Sequence, residues 1–256
     1  MAVPPTPGSP HHLAVVVGGT SGIGLAIAQE LVRRGLRVVV TGYRAHQIVA
    51  AQALLGDAAV VVRSDVTSRE DRAELAQVVR DDLGAIDALF VNAGAAEPEP
   101  FDQVTEASWD RQLDVNTKGV FFTAQQLLPL VRDGGGAVFT TVSPATAGAG
   151  MSVTLAAKAA VRELARGLAA ELVTRGVRVT TVAPGFVDTP SLGMAQPDPA
   201  ALAGYQEMGV AYTPMKRLGT AAEVARAAVF LALDATFSTG VELVVDGGLA
   251  SIDPPE

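Results

Sequence analysis

The run Val15-Val16-Val17-Gly18-Gly19-Thr20-Ser21-Gly22-Ile23-Gly24 has the makings of an anion seat, because an apolar strand breaks into glycine and resumes at once as a helix. A helix start presents unpaired backbone N–H groups and the positive end of its macrodipole. Gly18 is free to take a positive φ, while Gly22 and Gly24 let the backbone approach a diphosphate and the new helix pack close to the sheet. The predicted ligand is a dinucleotide, the plain alternative being a glycine-rich loop that binds nothing. Leu25, Ala26, Ile27, Leu31 and Val32 follow at helical spacing and favour the dinucleotide. Farther along, Thr154 and Lys158 stand four residues apart, which sets a hydroxyl and an ammonium on one helix face.

What is missing narrows the chemistry further. The chain has no Cys, hence no disulfide, thiol nucleophile or thiolate metal site. Its three His are His11 and His12 in the leader and His46 after the second strand, so neither a Ser-His-Asp triad nor a polyhistidine metal site assembles easily. No metal is predicted. Catalysis must use hydroxyls, Lys, amides, carboxylates or a borrowed cofactor.

The elements that position these groups alternate short β-branched runs with longer amphipathic ones. Residues 1–12, with Pro4, Pro5, Pro7, Gly8 and Pro10, form an irregular leader, and 13–256 read as one domain. Strands are predicted at Leu13 to Val17, Arg37 to Thr41, Ala59 to Arg63, Asp87 to Val91, Ala137 to Val142, Val177 to Val182 and Val241 to Val245. Helices are predicted at Ile23 to Arg34, Ala45 to Leu55, Arg69 to Leu83, Glu106 to Lys118, Val120 to Val131, Ser152 to Thr174 and Ala221 to Leu233. Pro184 to Pro214 reads as a proline-punctuated connection. Some seven apolar strands separated by helices describe an α/β fold, a doubly wound parallel sheet of Rossmann type covered on both faces.

With 256 residues, 49% of them hydrophobic, the chain can bury a large core. Its formal charge of −8, from 19 basic and 27 acidic residues without a basic cluster, argues against nucleic acid or an anionic membrane as partner. No apolar run approaches the ~18 residues of a membrane helix, and Met1 to Pro10 lacks the cations and apolar core of a signal peptide, so a cytoplasmic location is expected.

From about Leu13 to Gly248 the chain resembles the short-chain dehydrogenase/reductase family in its compact form. Val17-Gly18-Gly19-Thr20-Ser21-Gly22-Ile23-Gly24 matches the Thr-Gly-x-x-x-Gly-x-Gly signature, with Val for the leading Thr. Val91-Asn92-Ala93-Gly94 matches Asn-Asn-Ala-Gly, again with one Val. Asp65-Val66, Asp114-Val115-Asn116, Pro184-Gly185 with Thr189, and Val245-Asp246-Gly247-Gly248 complete the series. The resemblance implies a cofactor site of Gly18, Thr20, Ser21, Gly22, Ile23, Gly24, Arg44, Asp65, Val66, Asn92, Ala93, Gly94, Lys158, Pro184, Gly185, Val187 and Thr189. Asp65 would accept from the adenine amino group or cap a helix, and Thr189 would bond the nicotinamide carboxamide or cap a helix near Pro190. No acid ends strand two, where Val40-Thr41-Gly42-Tyr43-Arg44 stands. A carboxylate there would hold the ribose hydroxyls of NAD, whereas Arg44 suits a 2′-phosphate, so NADP(H) is favoured over NAD(H).

The resemblance also implies the catalytic set Asn116, Ser143, Thr154 and Lys158, and here the chain departs from its family. In the usual chemistry Ser and Tyr hydroxyls hold the substrate oxygen, Tyr passes the proton, and a Lys four residues later lowers the Tyr pKa. Thr154 occupies the Tyr position, and the tyrosines, Tyr43, Tyr205 and Tyr212, lie elsewhere. An aliphatic hydroxyl is many pKa units less acidic than a phenol near ~10, so Thr154 is a poor general acid. Losing such a donor typically costs ~10²–10⁴ in rate.

Three readings follow: an NADP(H)-dependent oxidoreductase whose proton comes from water, the substrate, Tyr205 or Tyr212; a non-redox cyclase, dehydratase or isomerase; or a silent cofactor-binding protein, natural or engineered from Tyr to Thr. In this family the segment at about 187–216 closes over the nicotinamide. Leu192, Met194, Leu202, Tyr205, Met208, Val210, Tyr212 and Met215 there suit a hydrophobic small-molecule substrate, with Phe101 and Ala145 to Gly150 as the other wall. On the helix after Thr154, Val161, Leu164, Ala165, Leu168 and Leu172 form one stripe for the sheet. Ala156, Ala160, Gly167 and Ala170 form a second face, for a neighbouring subunit of a dimer or tetramer or for a tight contact within the chain.

Overall fold

The computed structural model describes residues 12–146, 148–191, 194 and 199–252. Each strand is a short run rich in β-branched and small apolar residues, and the glycine-rich turn from strand to helix lies at the carboxyl end of the first strand. In chain order the elements are β1 (Leu13–Val17), α1 (Gly22–Arg33), β2 (Arg37–Gly42), α2 (Ala45–Leu55), β3 (Ala59–Arg63), α3 (Arg69–Val78), β4 (Ile86–Val91), α4 (Glu106–Leu113) and α5 (Val120–Leu127). They continue as β5 (Val131–Thr140), α6 (Ser152–Leu172), β6 (Arg178–Pro184), β7 (Val187–Asp188), α7 (Pro199–Tyr212), β8 (Gly219–Thr220), α8 (Ala221–Val229) and β9 (Glu242–Val245).

Seven strands form a parallel sheet in the order β3-β2-β1-β4-β5-β6-β9, and β7 with β8 makes a separate two-stranded pair. Alternate side chains of a strand point to opposite faces. In β1, Leu13, Val15 and Val17 therefore enter the core shared with α3, α5 and α6, while Ala14 and Val16 enter the core shared with α1 and α8. Burial on both faces is why these strands read as unbroken apolar runs. The order turns back on itself between β1 and β4, and the loops at their carboxyl ends part there to leave a crevice.

Most predicted boundaries agree within two residues. The fifth strand begins six residues early, at Val131, because Ile86 pairs with Val131 before the register shifts and Ala88 pairs with Gly136. The predicted helices at Glu106 to Lys118 and Val120 to Val131 run together, as a wider π turn over residues 114–119 carries α4 into α5. The larger correction is α7, which occupies the stretch read as a connection. Pro199 sits at its first position, where a missing N–H costs nothing. Its half-buried Leu202, Tyr205 and Met208 recur every third residue, a pattern hidden among alanine and glycine. No helix among the described residues is long and apolar enough to cross a membrane. The leader through His11, Ala147 and Leu192 of the predicted lid lie outside the described residues.

Candidate active site

A cleft of about 450 Å³ follows the carboxyl ends of β1, β2, β4, β5 and β6. Its nucleotide end is built from backbone. Gly18 has φ +73°, and a Cβ there would stand 2.7 Å from the backbone of Ala93. A side chain at Gly24 would collide with the Gly18 carbonyl and lie 2.7 Å from Asn92 Nδ2, which itself donates to the Gly18 carbonyl at 2.9 Å. The turn, α1 and the end of β4 are thus locked together, and the first helical N–H groups open on the cleft beside Thr20, Ser21, Gly22 and Ile23.

Asp65, Val66, Asn92, Ala93, Gly94, Pro184, Gly185, Val187 and Thr189 line the same cleft. Asp65 is not the cap of α3, since Ser68 holds that place and accepts from the Asp71 N–H at 3.1 Å. The Asp65 carboxylate instead accepts from the Thr67 N–H at 2.9 Å and the Thr67 hydroxyl at 2.7 Å, closing a turn at the cleft wall. Thr189 caps no helix at Pro190, since Pro190 and Ser191 form a turn. Arg44 also lines the cleft, its guanidinium 5.1 Å from the centre of the Tyr43 ring. Any side chain at Gly42 would run into Thr20, so the wall has no room for an acid at that point.

Side chains build the other end. Asn116, fully buried on the π turn, donates to the carbonyls of Ala95 at 2.8 Å and Gln112 at 3.0 Å and accepts from the Ala95 N–H at 3.0 Å. This clamp fixes the loop that leads away from Gly94. A Cβ on Gly94 would lie 2.5 Å from Lys158 Nζ and 2.8 Å from Asn116 Oδ1, so glycine is what admits both groups. Lys158 Nζ donates to the Thr140 carbonyl at 3.1 Å. Burial, with no neighbouring carboxylate to offset it, lowers its pKa from 10.5 to about 8.

Thr154 lies one turn earlier on α6, lines the cleft, and donates to Gln112 Oε1 at 2.7 Å. Gln112 is itself buried, and its amide nitrogen reaches the Glu97 carbonyl at 3.2 Å. Of the four catalytic candidates, Thr154 and Lys158 line the cleft, whereas Asn116 and Ser143 are buried behind its wall. The Ser143 hydroxyl is fully buried, donates to Asp246 Oδ2 at 2.8 Å, and does not face the cleft. Thr146, with Thr140 and Thr141, lines the cleft nearby, and its hydroxyl donates to the Ser143 carbonyl at 2.7 Å.

Gln112 escaped the reading of the sequence, and Thr146 entered it as part of the wall expected at Ala145 to Gly150. Gln112 precedes Asn116 by four residues and shares its helix face, which is a usable signal. Of the predicted apolar walls, Met194 and Tyr205 line the cleft. Tyr205 packs on Phe186 with ring centres 4.9 Å apart, and burial raises its pKa. Tyr212, Met215 and Phe101 are exposed, Phe101 by 84%, and form no part of the wall. Among the described residues no three His, Asp or Glu side chains gather as metal ligands.

A doubly wound sheet, a glycine cradle at its switch point and a buried Lys one turn from a cleft-facing hydroxyl define a nucleotide-dependent oxidoreductase fold. The family model described as enoyl-(acyl carrier protein) reductase matches residues 17–250. An oxidoreductase of Sarocladium schorii is 36% identical over 243 residues, 93% of this chain and 96% of that protein. The cis-4-hydroxycyclohexanecarboxylate dehydrogenase of Sinomonas cyclohexanicum is 36% identical over 250 residues, 94% and 98% of the two chains. The crystal structure of levodione reductase superposes with a TM-score of 0.86 at 28% identity, covering 94% of this chain and 98% of that one. The chain belongs to the short-chain dehydrogenase/reductase family, and its relatives make it an NAD(P)-dependent oxidoreductase by kind.

Proposed function

We propose that the protein is an NADP(H)-dependent oxidoreductase of hydrophobic secondary alcohols or ketones that works without its family's phenol. The observation that carries this reading is the meeting, in one cleft, of an intact glycine cradle with the buried Lys158 while Thr154 stands where the phenol belongs. The residues present fit a dinucleotide, because Gly18 and Gly94 leave open the space their side chains would fill. Gly18 to Gly24 with Thr20, Ser21 and Ile23 would hold the diphosphate, Asp65 and Val66 the adenine, and Asn92 to Gly94 with Lys158 the nicotinamide ribose. Pro184, Gly185, Val187 and Thr189 would hold the nicotinamide. Arg44, together with the absence of room for an acid at Gly42, supports NADP(H) over NAD(H).

The bound nicotinamide supplies or accepts a hydride. The chain's own residues orient the substrate and handle the proton: Asn116 stiffens the loop after β4, Ser143 ties the end of β5 to Asp246, and Thr154 and Lys158 face the substrate. A Thr in place of Tyr leaves room for a bulkier reactant, and Met194 and Tyr205 give it an apolar wall. The hydroxycyclohexane and cyclohexadiene-diol named for relatives of this chain support ring-bearing alcohols and ketones as the class. Ala156, Ala160, Gly167 and Ala170 are exposed on α6, so no contact within the chain accounts for that small-residue face, and we assign it to a neighbouring subunit of a cytoplasmic dimer or tetramer.

The test is nucleotide consumption by the purified protein with NADPH, then NADH, against cyclic and acyclic ketones. Ketone-dependent loss of NADPH, faster than of NADH, is expected. Substrate conversion without net nucleotide turnover would replace this reading with a cyclase, dehydratase or isomerase, and tight binding without conversion would make the protein a silent binder.

A further inference from the structure

We propose that the Lys158 ammonium itself delivers the proton to the substrate oxygen in this chain. The inference rests on the redox reading above and names the group which that reading leaves open. Its first support is that three hydroxyls around this end of the cleft already donate to acceptors within the protein. The Thr154 hydroxyl proton goes to Gln112 Oε1 at 2.7 Å, that of Thr146 to the Ser143 carbonyl at 2.7 Å, and that of Ser143 to Asp246 at 2.8 Å. Lys158 is different. An ammonium carries three N–H donors, and among the described residues one is taken, by the Thr140 carbonyl at 3.1 Å. Nζ lies against Gly94 in the wall of the cleft, where a side chain would otherwise shut it off.

The second support is the direction in which burial acts. It makes the Lys158 ammonium a stronger acid and the Tyr205 phenol, the rival donor in the wall, a weaker one. No carboxylate reverses this. Asp110 is exposed on α4, Asp114 pairs with Lys118 at 3.0 Å, Glu97 with Arg111 at 3.2 Å, and Glu163 on α6 with Arg162 at 3.3 Å. Asp65 is held by Thr67 and Asp246 by Ser143. In the reductive direction, with a bound reduced nicotinamide that would supply the hydride to the carbonyl carbon, one Nζ–H bond of Lys158 breaks and an O–H bond forms on the carbonyl oxygen. The neutral amine then regains a proton from water. In oxidation the neutral amine takes the alcohol proton as hydride leaves to the oxidised nicotinamide.

Amine rescue tests this. Lys158→Ala is expected to lose ~10²–10⁴ of the reductase rate. Methylamine, ethylamine and more acidic primary amines are expected to restore turnover, the more acidic ammonium being the faster in reduction and the slower in oxidation. Absence of rescue, or rescue indifferent to amine pKa, would overturn the proposal, as would a Tyr205→Phe variant as impaired as Lys158→Ala. A second measurement needs no turnover and no variant: competitive acetylation of Lys158 in the nucleotide-free protein, followed by mass spectrometry across pH. A midpoint near 8 supports the assignment and one near 10.5 overturns it. Failure of the redox reading shows separately, as an unaltered protein that consumes no nucleotide with any ketone.

Discussion

The two ends of the cleft are made of different material. The proposed nucleotide end is walled by closely packed backbone, so Gly18, Gly24 and Gly42 matter for the side chains they lack. The proposed reaction end is built from side-chain atoms, and what matters is where each proton points: Thr154 to Gln112, Ser143 to Asp246, Lys158 to the Thr140 carbonyl. A backbone site tolerates almost no substitution and changes little. A side-chain site is re-aimed by one exchange, and the function proposed above turns on Thr154 beside an unobstructed glycine turn.

Substitutions that treat the two ends separately sharpen this contrast. The largest effect is expected at Gly24→Val, whose side chain must displace the Gly18 carbonyl or Asn92. NADPH binding should vanish in calorimetry, with ~1–3 kcal/mol lost in denaturant unfolding from overpacking. The reaction end should respond in the opposite sense to Lys158→Met, losing turnover and gaining stability. A pKa lowered from 10.5 to about 8 means that burying the ammonium costs about 3 kcal/mol. Below pH 8 the folded and unfolded chains both carry the proton, so that cost is present in full. Between pH 8 and 10.5 the folded chain sheds its proton first and the cost fades. Unfolding curves should therefore show the variant's advantage at pH 7 and its disappearance toward pH 10.5.

Thr154→Tyr fills the space beside Lys158. The ratio of kcat/KM for small over ring-bearing ketones should rise about tenfold, a size discrimination of the kind an apolar pocket gives. An unchanged ratio would place the substrate elsewhere. Arg44→Ala is the mildest test. The half-buried cation should contribute ~1 kcal/mol toward a 2′-phosphate, so NADPH affinity should drop about fivefold and NADH affinity hold, the difference shrinking at high salt.

The same contrast governs what could be read from the chain. The cradle was legible because glycines at fixed offsets between an apolar strand and an amphipathic helix serve mainly to bring backbone close to backbone or to an anion. Asn116 and Lys158 were legible from the family's spacing, since backbone clamps and helix faces follow sequence distance. The direction of the Ser143 hydroxyl was not, because it depends on Asp246, 103 residues away. Gln112 meets Thr154 across 42 residues for the same reason. The helix α7 was hidden by prolines on either side of an alanine- and glycine-rich run whose burial is decided by Phe186.

The most direct measurement of the central claim, that the nucleotide cradle persists where the phenol does not, is a calorimetric titration of the unaltered protein with NADPH and NADH in the absence of substrate. Saturable binding of one nucleotide per chain, tighter for NADPH, is the result expected. No measurable affinity for either would contradict the account at its foundation.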